Sequence, residues 1–94
     1  MTARETLLRD YRAAFLRYLS WHEESALHGG YQLGRGALAD GRSLLELVQV
    51  HHDVLAEVLR DSPAAEAPLI ARSASDFLVE VLASYDMARR GPGS

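Results

Sequence analysis

Apolar residues recur at helical spacing in four stretches of the chain, and no stretch alternates with the period of a strand. The longest pattern surrounds Ser75–Arg90. Wound at about 100° per residue, it places Ile70, Ala74, Phe77, Leu78, Val81, Leu82, Tyr85 and Ala88 on one broad face. Val79 and Ala83 stand one turn apart almost opposite that face, where a helix meeting only water would carry charge. Two apolar surfaces on one helix imply two tasks, closing a core and meeting a partner.

The remaining stretches divide at capping and turn residues. Thr2-x-x-Glu5 is a capping box that opens a first helix running to about Trp21, with Leu7, Leu8, Tyr11, Ala14, Phe15, Tyr18 and Leu19 on one face and Leu16 off it. Ser20-x-x-Glu23 reads as a second capping box at a turn, with Trp21 as a plug in the core. A second helix over Glu24–Asp40 carries Leu27, Tyr31, Gly34 and Leu38 at helical spacing. Its interior glycines weaken it by about 1 kcal/mol each relative to alanine. Ala26, Gly30 and Gly34 repeat every fourth residue, which permits another backbone to approach closely. Asp40-Gly41 stops this helix, and Ser43-x-x-Glu46 caps a third over Leu44–Asp61, whose stripe is Leu44, Leu47, Val48, Val54, Leu55, Val58 and Leu59 around His51. Pro63 and Pro68 delay the fourth helix, which begins between Ala64 and Leu69. The predicted architecture is all-α, a four-helix bundle of mostly antiparallel neighbours, dimeric, with one domain over residues 1–90 and a tail or linker at 91–94 beyond which a further domain would follow.

Composition removes several function classes. Opposite charges are interspersed around a net charge of −3, so no basic run follows a phosphate backbone and nucleic acid is not an expected partner. No apolar run approaches the length of a membrane span, the amino terminus lacks the layout of a secretion signal, and the chain has no cysteine. A cytoplasmic protein without disulfides or thiolate metal sites is expected.

Candidate chemistry is confined to histidines and carboxylates. His51 at the centre of the third stripe reads as a packed imidazole bonded to a tyrosine or a carbonyl. His51 and His52 diverge by about 100° around the helix, and the HExxH pattern is missing. Glu24 and His28 are spaced i, i+4, but two ligands fall short of the three or four of a zinc site. No glycine-flanked serine elbow occurs. The residues therefore describe a partner-binding bundle without metal or cofactor. The alternative is a small bundle that binds a metal or ligand through His22, His28, His51 and His52.

Arg17-Tyr18, Ser25-Ala26-Leu27-His28, Val50-His51 with Val54-Leu55, and Asp76-Phe77-Leu78-Val79-Glu80-Val81 with Tyr85, Met87 and Ala88 together resemble the N-terminal domain of RsbU-type phosphoserine phosphatases, a domain related in fold to the C-terminal domain of the clock protein KaiA. The resemblance spans about Arg4 to Ala88. It departs in the long connection Ser62–Ala71, in the glycines of the second helix, and at Asp86, where a glycine would be expected. It implies a dimerising regulatory domain of a stress-response or sigma-factor partner-switching pathway. That domain would receive an RsbT-type switch kinase homologue and signal to a PP2C-type phosphatase domain whose aspartate motifs do not occur in this chain. The positions matching the docking surface are His28, Val79 and Ala83. Leu16, Gly30 and Gly34 are the candidates for the dimer interface, Leu16 because it lies off its stripe and the glycines because they allow close packing.

Overall fold

The computed structural model describes residues 2–21 and 23–91. Four α-helices, α1 (Ala3–Trp21), α2 (Glu24–Ala39), α3 (Leu44–Arg60) and α4 (Ala67–Arg90), surround one core, and no strand occurs among the described residues. A 3-10 turn at Ala64–Glu66 leads into α4, with Pro68 in the helix's first turn, where its missing N–H leaves no bond unmade.

The caps explain most of the boundaries. Thr2 Oγ1 accepts from the Glu5 amide at 3.1 Å, and Ser43 Oγ accepts from the Glu46 amide at 3.1 Å. At the end of α2 the Arg42 amide reaches back to Ala37 O at 2.8 Å and the Gly41 amide to Leu38 O at 3.0 Å. This pair of bonds is a Schellman closure, and it requires the φ of +75° that Gly41 adopts. The expected capping box at Ser20 does not form. Ser20 is still inside α1, where its hydroxyl donates to Leu16 O at 3.0 Å, and Glu23 precedes α2 without a side-chain cap. The intervening His22 lies outside the described residues. Trp21 is not a core plug either; it is 66% exposed.

Tyr11, Phe15, Leu47, Val50, Val54, Phe77 and Val81 fill the centre of the core and are almost wholly buried. Phe77 is its hub, with Tyr11 edge-on at 5.3 Å between ring centroids and Phe15 and Tyr18 at 5.6 and 5.9 Å. The third stripe is rotated from its predicted position: Leu44 and Val48 are exposed, whereas Val50 is buried. The reason is that α3 packs on α1 and α4 and scarcely touches α2. Ion pairs from Arg4 to Asp53 at 3.3 Å and Arg12 to Glu57 at 2.9 Å hold α3 against α1.

The most extensive helix pairing is between α2 and α4. A side chain on Gly34 would overlap Ser84 Oγ and the Val81 carbonyl oxygen, and would stand 2.9 Å from the Tyr85 amide nitrogen. At Gly30 a Cβ would come to 3.3 Å from Phe77 Cε1. These contacts advance in the same direction along both helices, so the closest pair departs from the expected antiparallel neighbours. They also correct the dimer assignment of Gly30 and Gly34. Both glycines are buried within the chain, and the close approach they permit is that of α4. Leu16 remains exposed at 42%.

Candidate functional site

The sequence-predicted docking residues are all exposed, His28 on α2 and Val79 and Ala83 on α4. Val79 on α4 is 66% exposed, and Ala83 one turn later is exposed as well. The core face of the same helix is complete without them, since Ile70, Ala74, Phe77, Val81 and Tyr85 are buried. Met87, four residues beyond Ala83 and 62% exposed, continues the row, a position that i+4 arithmetic on Val79 and Ala83 could have found.

His28 is exposed on α2. Its ring stacks on Tyr31 at 5.5 Å with an interplanar angle of 14°. Arg35 lies over the same tyrosine ring, 5.7 Å from its centroid, and its guanidinium donates to Tyr31 Oη at 3.0 Å. Spacings of three and four residues build this ladder of His28, Tyr31 and Arg35 from one helix face. In the sequence His28 stands out with Arg35 beside it, whereas Tyr31 reads as part of the helical stripe with Leu27, Gly34 and Leu38. A shallow cleft lined by Glu24, Leu27, His28, Tyr31 and Glu80 joins α2 to α4. Glu80 follows Val79 in the chain, so the cleft that His28 lines reaches the neighbour of the α4 row, but neither Val79 nor Ala83 lines the cleft itself.

His51 and His52 do not converge with His28. His51 Nδ1 is 2.8 Å from Tyr11 Oη, as the packed reading expects. Burial and then the neighbouring His52 lower the pKa of His51, while burial raises that of Tyr11. A neutral imidazole and a protonated phenol follow, and the two rings share one hydrogen bond whose donor is set by the imidazole tautomer. His52 points outward, and His22 lies outside the described residues. Among the described residues no group of three or more histidine or carboxylate side chains is placed to hold a metal ion. Among these residues, too, no helix is long and apolar enough to cross a membrane.

The family model for the N-terminal domain of the phosphoserine phosphatase RsbU matches residues 9–88, and the chain belongs to that family. No curated protein and no solved structure matches it. The match is to the regulatory, amino-terminal part of these phosphatases and includes no catalytic domain.

Proposed function

We propose that this chain is the regulatory dimerisation and activator-docking domain of a PP2C-type serine phosphatase in a cytoplasmic stress-response or sigma-factor partner-switching pathway. Its partner is a switch kinase homologue of the RsbT type, docked on the surface that His28, Val79 and Ala83 border. The domain itself uses no cofactor, and neither nucleic acid nor membrane is its target. A second copy of the chain completes the working unit, with Leu16 among the exposed apolar residues available to it.

The observation that carries this reading is the row of Val79, Ala83 and Met87, exposed on a helix whose own core face is already filled. An apolar residue at the centre of a patch that loses water on binding contributes far more than one at its rim. Val79→Glu and Ala83→Asp are therefore expected to weaken binding of RsbT-type homologues from the same genome at least about tenfold by calorimetry. On a solvated helix face the same changes alter stability by only about 0.5 kcal/mol, so the thermal midpoint should hold. Unchanged binding in both variants would remove this face as the docking surface.

A further inference from the structure

A long cleft runs along the flank of α2 that meets α1. It is open, about 710 Å³ in volume, and lined by Leu7, Ala13 and Ala14 from α1 and by Gly29, Leu33 and Gly36 from α2. Ala14 meets Gly29, where a Cβ would stand 3.2 Å from Ala14 Cβ. With α2 folded back along α1 from that contact, Ala26 comes level with Arg17 and Asp40 level with Ala3. The two ends of the cleft therefore differ in charge. Arg17 lines one end and Asp40 the other, and neither has an ion-pair partner among the described residues. The remaining charges of the cleft are taken, Asp10 by Arg9 at 3.2 Å and Arg42 by Glu46 at 2.8 Å. The fold also leaves a place empty at Gly36. Nothing lies within 4 Å of where a Cβ would stand there, although alanine would strengthen the helix.

The geometry points to a docking groove for one amphipathic α-helix of a partner protein, lying parallel to α1 with its amino-terminal end at Asp40 and its carboxy-terminal end at Arg17. Arg17 is fourteen residues beyond Ala3, about 21 Å along α1, so the groove takes about four turns of a helix. A helix carries roughly half a positive charge at its amino terminus and half a negative charge at its carboxy terminus. In the stated direction these complement Asp40 and Arg17, and in the reverse direction they oppose both. Basic side chains in the partner's first turn and acidic ones in its last add a full charge at each end. The opening at Gly36 receives one large apolar side chain of the partner, as a hole receives a knob between packed helices. This charge pattern also separates a foreign helix from a second copy. The helices of this chain carry the opposite one, with Glu5, Glu24 and Glu46 in the first turns of α1, α2 and α3 and arginines in the last turns of α3 and α4. Leu16 does not line the cleft, and neither do Val79, Ala83 and Met87, so this contact is additional to those of the proposed function.

The probe is a blocked synthetic peptide of about sixteen residues, with a leucine stripe at helical spacing, lysines in its first turn and glutamates in its last. Calorimetry on the whole chain should show binding. Arg17→Glu and Asp40→Arg should each weaken it at least about tenfold while keeping the helical circular dichroism of the parent. A second peptide with lysines in place of the glutamates should bind Arg17→Glu better than it binds the parent. Gly36→Leu fills the opening and should weaken the first peptide, whereas Leu45→Glu, at an exposed position of α3 outside the cleft, should leave it unchanged. Trp21 reports direction, because it is the only tryptophan, stands one turn beyond Arg17 and is 66% exposed. Energy transfer from it to a dansyl group should be stronger with the label at the carboxy terminus of the peptide than at the amino terminus. No binding to the parent, binding that both charge variants retain, or stronger transfer to the amino-terminal label would overturn the inference. So would binding that sedimentation shows to dissociate a dimer, since the groove would then belong to a second copy. No switch kinase homologue enters these measurements, so the activator row on α4 is decided separately by Val79→Glu and Ala83→Asp.

Discussion

At the scale of single residues the buried polar contact between Tyr11 and His51 has the largest measurable consequence. His51 has a lowered pKa in the fold, with burial the main cause, while the unfolded chain restores the ordinary value of 6.5. As pH falls below about 6.5 the unfolded state takes up a proton that the folded state refuses, and stability declines until the folded pKa is reached. Above 6.5 this contribution to the pH dependence vanishes. Removing only the imidazole strands a buried hydroxyl, so His51→Leu should cost about 1–3 kcal/mol, whereas Tyr11→Phe combined with His51→Leu should cost less than His51→Leu alone. Urea unfolding between pH 7 and pH 5 checks both statements, and the double variant should lose the part of the slope that His51 supplies. The position of His51 on a helical stripe made its packed role legible. Its tyrosine partner was one option among several, because forty residues separate the two in sequence and only the pairing of α1 with α3 joins them.

At the scale of elements the seam between α2 and α4 decides how the four helices assemble. Gly34 faces the backbone of α4, which cannot yield as a side-chain tip can. Gly34→Ala is expected to destabilise by about 3 kcal/mol or more, at the upper end of overpacking costs. Gly30 faces the edge of the Phe77 ring at 3.3 Å, a contact that relaxes by a few tenths of an ångström. There the helical gain of alanine, about 1 kcal/mol, offsets most of the strain, so Gly30→Ala should change stability by about 1 kcal/mol or less. Chemical denaturation of the two variants checks the contrast. The every-fourth-residue pattern showed that some backbone would come close at these glycines. It did not show whether that backbone belonged to the same chain. The answer lay in Ser84, buried because only a small side chain fits under Gly34, and a serine inside an apolar stripe gives no sign of that in sequence. Val50 was missed for a related reason. The apolar content of α3 fixes a broad arc, but the part of it that is buried is set by the packing of α3 on α1 and α4, which buries Val50 and leaves Leu44 and Val48 exposed.

At the scale of the whole molecule, the helices form a body of 45 × 30 × 17 Å, thin in one direction, and the second copy included in the proposed function has a direct thermodynamic signature. A ligand that binds only the folded form stabilises it by mass action, and in a homodimer that ligand is the protein itself. The thermal midpoint should therefore rise with protein concentration across the range in which the dimer forms. The exposed Leu16 is the apolar residue of α1 that a second copy would cover. Pairing through it would give a concentration dependence that added salt does not reduce, because salt screens charges and leaves apolar burial in place. A scan of midpoint against concentration at two ionic strengths, with the parent and Leu16→Glu side by side, checks this. The variant should lose the rise, and a parent whose midpoint stays flat with concentration would remove the second copy from the proposed function.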